Sequence, residues 1–517
     1  MSIHRKALSG EDGEAGKGGV IEPKGSAISS FPSFPRSHIF SRMTPDEFRR
    51  HAHHLVDWMA DYMRDVGALP VTPALRPGDV MRQLPASPPE SGESFDTLLH
   101  DFTRIIIPGM THWNHPGWFA YFPGNNSPPS ILAEMLTATL GAQCMSWATS
   151  PAATELEQVT MEWLRQMLGL PPGFVGVIQD TASTATLVAL LSARERATNN
   201  AAGTAGLART GARLTVYATR EAHSSIDKGV KLAGYGLDQL RRVPVDGDYA
   251  MMPDQLDRMI AADRKAGLIP ACVVATVGTT SSTAMDPVAR IAEVCGRHDV
   301  WLHVDAAYAG TAAIVPELRH LFDGIEQADS LVFNPHKWML VNFDCSAYFV
   351  RDRDALLRTF TVTPEYLRTA QDEEVVNFRD WGIQLGRRFR ALKLWFVIRS
   401  YGLDGLRELV RRHVRLAGEL AEWIEAAPEF ELMAPVPLGL VCFRYRPAGM
   451  DADDPRLDDL NAALLARVNA TRQVHLTHTG LGGRYVIRAV IGQRQTERGH
   501  VEAVWRLIQE AAASKRP

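Results

Sequence analysis

The chain has 517 residues, which is too long for one ordinary domain. Of these residues 45% are hydrophobic and 22% are charged, as is typical of globular proteins. Its formal net charge of −4 offers no basic field for nucleic acid or for an anionic membrane surface. The five cysteines are far apart and form no Cys-x-x-Cys pair, which argues against a disulfide framework or a zinc site. No run reaches the roughly 18 apolar residues of a membrane span, and no apolar signal core begins the chain. We therefore predict a cytoplasmic protein without a metal site, a nucleic-acid partner or a membrane partner.

The N-terminal part is predicted to be a tail followed by a helical segment. Residues 1–42 are rich in Gly, Ser, Pro and charge, which favours a flexible tail. Residues 43–127 open with an N-cap and a proline at Thr44-Pro45, as at the start of an amphipathic helix. A proline-rich arm follows at 70–93, and helical patterns resume at 94–106 and from Ser130.

The central residues 128–391 alternate short apolar strands with helices, which predicts an α/β domain with a mainly parallel sheet. The predicted strands are 176–179, 214–218, 272–276, 300–304, 330–333 and 347–350. An amphipathic helix is predicted at 155–168 and another at 387–401. Between the last strand and the second helix, residues 359–377 have the composition of a long loop, and such loops often form lids.

Residues 392–517 are predicted to form a smaller α+β domain. The expected helices are 403–427, 458–470 and 500–513, and the expected strands are 439–444 and 485–489.

Two strand ends in the central domain carry the strongest indication of function. One strand starts as the apolar run Val300-Trp301-Leu302 and ends in Asp305, and the strand 330–333 leads into a loop with Lys337. A buried carboxylate needs a cationic partner, and a desolvated lysine is a nucleophilic amine. Pyridoxal phosphate requires both, because its aldehyde forms a Schiff base with a lysine and its ring nitrogen needs a carboxylate. Taken singly, a loop lysine is more often a solvated surface residue, and a strand-end aspartate is more often a turn residue.

These two segments, and much of the chain between about Thr44 and Ala511, resemble the group II pyridoxal-phosphate decarboxylases, above all the aromatic L-amino acid decarboxylases. The resemblance implies a fold-type I α/β enzyme with a mainly parallel seven-stranded sheet. It also implies a homodimer with the active site at the interface, in which the N-terminal helical segment packs on the partner. The expected reaction converts Trp, Tyr, Phe or Dopa into the corresponding arylalkylamine and carbon dioxide.

The resemblance also assigns roles to cofactor-binding residues. Lys337 would hold the cofactor, and Asp305 would pair with its ring nitrogen. The other cofactor-binding candidates are Ala182, Ser183, His223, Thr280, Asn334 and His336. Ala182-Ser183 follow a strand and open a helix, a position that suits a phosphate, although an ordinary helix cap explains this segment alone.

Two further residues would act in catalysis. His223 would stack on the cofactor ring. Tyr366, in the predicted lid, would donate a proton to the α-carbon, because a phenol with a pKa of about 10 is a suitable acid once water is excluded.

The substrate side chain is expected to meet a mainly aromatic pocket. The candidates are Trp113, Tyr121, Phe122, Gly124, Gln143, Met145 and Gly386. Gly124, Gln143 and Met145 stand where animal relatives carry Thr, Ile and Phe, so the preferred ring stays open. Gly386 leaves space that in plant relatives tends to accompany indole substrates.

Three alternatives remain at this point. The chain could be a same-fold aldehyde synthase, a histidine or glutamate decarboxylase, or a protein that binds the cofactor without catalysis. Tyr366 favours plain decarboxylation, because aldehyde-forming relatives commonly carry Phe there. The presence of Lys337 and Asp305 argues against a non-catalytic protein.

Overall fold

The computed structural model describes residues 43–362, 364–367, 371–372 and 374–514. The helices in these ranges are α1 (Pro45–Asp65), α2 (Phe95–Asp101), α3 (Pro128–Leu140), α4 (Pro151–Leu168), α5 (Ala182–Ala197), α6 (Ala201–Ala205), α7 (Leu207–Thr210), α8 (Ser225–Leu232), α9 (Pro253–Lys265), α10 (Val288–Arg297), α11 (Pro335–Trp338), α12 (Arg353–Phe360), α13 (Arg390–Glu425), α14 (Arg456–Ala470) and α15 (Arg498–Ala513). The strands are β1 (Val175–Gln179), β2 (Leu214–Ala218), β3 (Leu240–Arg242), β4 (Ile269–Thr276), β5 (Trp301–Asp305), β6 (Ser330–Phe333), β7 (Ser346–Val350), β8 (Phe430–Leu432), β9 (Leu440–Tyr445), β10 (Thr477–Leu481) and β11 (Arg484–Val490).

The chain divides by its internal contacts into two units, Met1–Asp61 and Tyr62–Pro517. In the first unit, α1 begins at the residues that the sequence predicts. The Thr44 hydroxyl accepts a hydrogen bond from the Glu47 N–H at 3.2 Å, and the Glu47 carboxylate accepts one from the Thr44 N–H at 2.7 Å. This reciprocal pair is a capping box, which satisfies two backbone donors that the helix itself leaves unpaired.

The second unit contains a seven-stranded sheet in the order β1-β7-β6-β5-β4-β2-β3. Neighbouring strands from β3 to β6 are parallel, whereas β7 is antiparallel to both of its neighbours, β1 and β6. The predicted mainly parallel seven-stranded sheet is therefore confirmed. Because β1, β5 and β6 run in the same direction, the residues that follow them meet at one edge of the sheet.

Strand β5 shows why this sheet is buried. All five of its residues are buried, and its three apolar side chains divide between two apolar cores. Leu302 and Val304 belong to the core that contains residues of α10, whereas Trp301 belongs to the core that contains residues of α5. Helices therefore cover both faces, as a parallel sheet requires.

The C-terminal part contains a four-stranded antiparallel sheet in the order β10-β11-β9-β8, with its own apolar core. Beside it, α13 is interrupted at Gly402, which has φ 63° and ψ 173°. The sequence predicts two helices that meet here, and glycine allows this conformation because it has no Cβ. The first helix begins at Arg390 rather than at Arg387, because the backbone of Phe389, with φ −78° and ψ 60°, is not helical.

Other elements differ from the predicted ones in ways that the sequence explains. Strands β3, β8 and β10 were not expected, because they are short or carry charged and polar side chains. The predicted helix at 94–106 changes into a π-helix at Phe102–Ile106. The predicted long loop begins only after α12, at Thr361.

Parts of that loop lie outside the described residues, namely 363, 368–370, 373 and the side chain of Tyr366. All five cysteines are buried and free, as the sequence suggests. No helix in the described part of the chain is both long enough and apolar enough to cross a lipid bilayer.

Asp286 gives a stability prediction, because its buried carboxylate accepts hydrogen bonds from the backbone N–H groups of Met251 and Thr276, both at 2.7 Å. Burial raises the pKa of Asp286 to about 7, and Asp246 adds to the rise, while the two N–H donors oppose it. A carboxyl with a raised pKa in the folded state stabilises most at low pH, and this contribution falls as the pH rises from about 4 to about 7.

We therefore expect the free energy of unfolding of the wild type, relative to Asp286→Asn, to fall by on the order of 1–3 kcal/mol between about pH 5 and pH 8. Urea unfolding of both proteins at the two pH values measures this difference. A difference that does not change with pH would contradict the raised pKa.

Candidate active site

Lys337 and Asp305 lie in the same cavity at the carboxyl edge of the large sheet. Asp305 is the last residue of β5, and Lys337 belongs to α11, the single turn that follows β6. Burial lowers the pKa of the Lys337 amine, and the nearby Asp305 carboxylate partly opposes this change. The amine is therefore closer to its neutral, nucleophilic form than the amine of a surface lysine.

The Asp305 carboxylate is fixed by the backbone that follows it. Only 3% of the residue is exposed, and the Ala307 N–H donates a hydrogen bond to Oδ1 at 3.0 Å. Thr276, its partner in the register of β4 and β5, carries a buried hydroxyl with no hydrogen-bond partner among the described residues. An orphaned hydroxyl beside a buried carboxylate is expected where a polar ligand completes the contacts.

The inner cavity has a volume of about 180 Å³. Its walls are formed by Phe122, Thr181, Ala182, Ser183, His223, Thr276, Gly278, Thr280, Asp305, Ala307, Tyr308, Asn334, His336 and Lys337. The structure thus brings all eight predicted cofactor-binding residues together. Gly278 has a φ of +82°, and a Cβ there would lie 2.6 Å from the Ala309 Cβ, so this wall admits no side chain.

The N-terminus of α5 forms one end of the inner cavity. Thr181 is the N-cap, and its hydroxyl accepts a hydrogen bond from the Thr184 N–H at 3.4 Å. Ala182 and Ser183 occupy the first turn, where the backbone N–H groups have no partner within the helix. These donors and the positive end of the helix dipole suit an anion.

The two histidines of the cavity are both held in a neutral form. The Nδ1 atom of His223 accepts a hydrogen bond from the Ser225 N–H at 3.1 Å, and burial lowers the pKa of His223. The Nδ1 atom of His336 accepts from the Cys345 N–H at 3.0 Å, and burial lowers the pKa of His336 to about 4. Each ring therefore presents Nε2–H as its remaining donor.

Asn334 is fixed by a hydrogen bond from the Ser346 hydroxyl to its Oδ1 atom, at 2.5 Å. Its side-chain amide therefore has one oxygen in use and an NH₂ group that can donate. Because Asn334 lines the inner cavity, this amide is a candidate ligand donor.

A second, outer cavity of about 580 Å³ adjoins the inner one, since Phe122, His223, Thr280, His336 and Lys337 line both. Its other walls are Trp113, Tyr121, Pro123, Gly124, Phe343 and Arg488. The rings of Trp113 and Tyr121 are stacked, with centroids 5.6 Å apart. Four of the seven predicted substrate residues therefore line the outer cavity, and three of them, Trp113, Tyr121 and Phe122, form an aromatic wall beside Lys337.

The other three predicted substrate residues, Gln143, Met145 and Gly386, are not among the described residues that line either cavity. The Gln143 Oε1 atom accepts the Arg387 N–H at 2.7 Å, and a Cβ at Gly386 would lie 3.3 Å from Gln143 Nε2. Within one chain, Gln143 and Gly386 lie next to each other, and Gln143 and Met145 belong to the segment that follows α3. The space beside Gly386 is occupied by the Gln143 amide.

Arg488 lines the outer cavity and was missed by the sequence analysis. Its guanidinium donates hydrogen bonds to the Ser281 carbonyl at 3.1 Å, the Thr477 hydroxyl at 3.0 Å and the Thr280 carbonyl at 2.7 Å. The residue is 4% exposed, and no carboxylate pairs with it among the described residues. A charged residue within the apolar strand β11 is the signal that could have revealed it.

Tyr366 belongs by its backbone to a turn at Glu365–Leu367, but its side chain lies outside the described residues. Its predicted catalytic role therefore has no geometric counterpart here.

The arrangement combines a nucleophilic amine, a buried carboxylate and an anion-binding helix end in one small cavity. Such a set suits covalent binding of a phosphorylated carbonyl compound with a basic ring nitrogen. The adjoining aromatic wall suits a second ligand that has a flat ring. The Arg488 guanidinium, which pairs with no carboxylate of the described residues, suits a carboxylate on that ligand. Within the described residues, no cluster of three or more metal-ligating side chains could hold a metal ion.

Comparisons with known proteins agree with this description. Residues 77–446 match the family model described as "Pyridoxal-dependent decarboxylase conserved domain". An aromatic-L-amino-acid decarboxylase of Sus scrofa is 44% identical over 484 residues, which cover 91% of this chain and 97% of that protein. A phenylacetaldehyde synthase of Arabidopsis thaliana is 40% identical over 485 residues, covering 92% of this chain and 98% of the relative. The crystal structure of Oryza sativa TDC with PLP and tryptamine superposes with a TM-score of 0.88 at 39% identity, covering 92% of this chain and 99% of that one.

Proposed function

Because the chain belongs to the pyridoxal-dependent decarboxylase family, we propose that it decarboxylates aromatic L-amino acids and releases the corresponding arylalkylamine. The observation that carries the proposal is the aromatic wall of the outer cavity beside Lys337 and Asp305. In the overall reaction, the bond between the α-carbon and the carboxyl group breaks, carbon dioxide leaves, and a proton takes its place on the α-carbon.

The inner cavity fits pyridoxal phosphate. The cofactor has an aldehyde, a ring nitrogen and a phosphate that need protein partners. The cavity offers the Lys337 amine, the Asp305 carboxylate and the N-terminus of α5, and the orphaned Thr276 hydroxyl is a further contact for a polar ligand. When bound, the cofactor supplies the carbonyl that links to an amine and a ring that accepts the electron pair left by carbon dioxide.

Lys337 and Asp305 have complementary tasks in this proposal. The lowered pKa of Lys337 would keep its amine neutral enough to react with the cofactor's aldehyde. Asp305 holds a proton on the ring nitrogen, because a buried carboxylate is stabilised by a cationic partner. Since the Ala307 N–H fixes Oδ1 of Asp305, the carboxylate would not have to change its conformation to pair with the ring nitrogen.

The remaining inner residues bind the cofactor and exclude water. The first-turn N–H groups of Ala182 and Ser183 would receive the phosphate, and Asn334 and His336 would add donors from the segment that follows β6. The neutral ring of His223 would pack against the cofactor ring, and Thr280 contributes to the wall shared by both cavities.

Tyr366 is the acid we propose for protonation of the α-carbon. The support comes from its residue type and its position in the loop after α12, since its side chain lies outside the described residues.

Arg488 is the group best suited to orient the substrate carboxylate. Its three hydrogen bonds to neutral oxygens fix the guanidinium in place and leave N–H donors for a carboxylate in the outer cavity. Trp113, Tyr121 and Phe122 then contact the aromatic ring of the substrate.

We further propose that the protein is a homodimer, that residues 43–127 pack on the partner, and that it works in the cytoplasm. Leu132, Leu136 and Leu140 are spaced along α3 and are 51%, 48% and 64% exposed. Phe343, 65% exposed, also lines the outer cavity, so a partner on this apolar surface would reach the mouth of the site. Gln143, Met145 and Gly386 would then serve the cavity of the partner. Free, buried cysteines accord with a reducing compartment.

The proposed activity is tested with the purified enzyme, pyridoxal phosphate and a panel of L-amino acids: Trp, Tyr, Phe, Dopa, His and Glu. We expect amine and carbon dioxide from the aromatic members, and no turnover by Lys337→Ala. Borohydride reduction followed by mass spectrometry should place the pyridoxyl group on Lys337. Aldehyde with ammonia as the main product, activity confined to His or Glu, or an adduct on another lysine would each contradict the proposal.

Replacement of Arg488 tests the carboxylate contact. The carboxylate loses its charge as carbon dioxide departs, so this ion pair is stronger in the bound substrate than in the transition state. We therefore expect Arg488→Gln to raise KM about tenfold or more with a smaller effect on kcat. The control is Arg444→Gln, which removes a buried arginine of β9 that pairs with Glu431 outside both cavities. Equal KM values for Arg488→Gln and the wild type would exclude the contact.

A charge on the apolar face of α3 tests the dimer. We expect Leu136→Asp to yield monomers with little activity, because an aspartate within an apolar interface is not compensated. Leu232→Asp, at a residue that is 73% exposed on α8, is the matched control. Analytical ultracentrifugation gives the mass in solution, and an active monomer or a wild-type monomer would refute the dimer proposal.

A further inference from the structure

The turn that carries Lys337 is linked to other segments by a buried asparagine outside the cofactor site. Asn125 is 1% exposed, and its Nδ2 atom donates hydrogen bonds to the Lys337 carbonyl at 3.0 Å and to the Gly492 carbonyl at 2.6 Å. Its Oδ1 atom accepts the Arg494 N–H at 3.0 Å. One side chain therefore ties the backbone of Lys337 to the segment that follows β11.

The residue after Lys337 is linked to the same segment by a second route. The Trp338 Nε1–H donates to Nδ1 of His413 at 2.8 Å, and His413 Nε2–H donates to the Gln493 carbonyl at 3.1 Å. His413 is fully buried, and burial lowers its pKa to about 3, so both ring nitrogens keep these fixed roles. The two routes converge on residues 492–494.

Aromatic contacts fix the other side of the turn. The Trp338 ring stacks on Tyr308 with centroids 4.6 Å apart, and Tyr308 stacks on Phe122 at 4.0 Å. The Lys337 Nζ atom lies 5.4 Å from the centre of the Phe122 ring. Since Phe122 and Asn125 belong to one short segment, that segment contacts both the side chain and the carbonyl of Lys337.

A single helical turn needs such support. Helix α11 has four residues and no side-chain cap, and one isolated turn is not stable by itself. The direction of the Lys337 side chain therefore depends on what holds its backbone.

We propose that Asn125 is a positioning residue that fixes the Lys337 carbonyl and thereby aims the Lys337 amine at the cofactor. This inference rests on the proposed role of Lys337 as the cofactor-binding lysine. Asn125 is not among the described residues that line the inner cavity or the outer cavity, so it would act through Lys337.

The test compares Asn125→Ala with Asn461→Ala. Asn461 is also fully buried and also makes three hydrogen bonds to backbone groups, those of Leu457 and Tyr445 in the C-terminal part. Two measurements report on cofactor geometry rather than activity. One is the dissociation constant of pyridoxal phosphate, from quenching of tryptophan fluorescence in the apoprotein. The other is the visible circular dichroism of the bound cofactor, which depends on its orientation in the site.

We expect Asn125→Ala to weaken cofactor binding about five- to tenfold, the size of one net hydrogen bond, and to reduce the visible circular dichroism per bound cofactor. Asn461→Ala should lower the urea midpoint while leaving both cofactor measurements at their wild-type values. Wild-type affinity and circular dichroism in Asn125→Ala would overturn the inference. Equal changes in the two variants would also overturn it, because they would indicate general loosening.

Trp338→Phe provides a second variant if Asn125→Ala does not fold. It keeps an aromatic ring against Tyr308 but removes the donor to His413, and we expect a smaller change in the same direction. Unchanged circular dichroism and affinity in a folded Trp338→Phe would count against the positioning role. The borohydride adduct distinguishes failure of the proposed function from failure of this inference. An adduct on a lysine other than Lys337 would contradict the proposed function. An adduct on Lys337, together with unaltered spectra of Asn125→Ala, would contradict only this inference.

Discussion

An ionisable group stays out of water only where other groups replace the water, and this constraint governs the carboxyl edge of the large sheet. Lys337 and Asp305 are both desolvated there, and each has few protein partners. Asp305 has one backbone donor at 3.0 Å, and the pKa of Lys337 is lowered by burial. Such a site is stabilised most by a ligand with a carbonyl group that reacts with the Lys337 amine and a cationic group that pairs with the Asp305 carboxylate. Pyridoxal phosphate meets both requirements.

The site also depends on parts of the chain that are far apart in sequence. Thr280 and Ser281 are held by Arg488 of β11, and the Lys337 carbonyl is held by Asn125. The small C-terminal sheet therefore supports a loop of the inner cavity, although it supplies none of the described residues that line this cavity. A substitution in the C-terminal part can alter the site without touching a ligand.

Much of this architecture is predictable from the sequence, because strong local patterns determine it. Asp305 ends a mostly apolar strand and Lys337 follows another, and parallel strands bring their ends to one edge. Arg488 and Asn125 are not predictable in this way, since their importance lies in contacts with segments hundreds of residues away. Strand β10 escapes prediction because Thr477–Leu481 contains glycine and polar side chains, and pairing with β11 stabilises it. The roles of Gln143, Met145 and Gly386 stay predictions, because they are not among the described residues that line either cavity.

The single antiparallel strand of the large sheet has a consequence for how the chain reaches this structure. Strand β1 ends at Gln179, and its sheet partner β7 begins only at Ser346. During synthesis, β1 emerges early and has no strand to pair with until nearly all of the central region has left the ribosome. Contacts between such distant segments form slowly, and an unpaired apolar strand can pair with the wrong chain in the meantime. The sheet edge beside the N-terminus of α5 is therefore among the last parts of the large sheet to be completed.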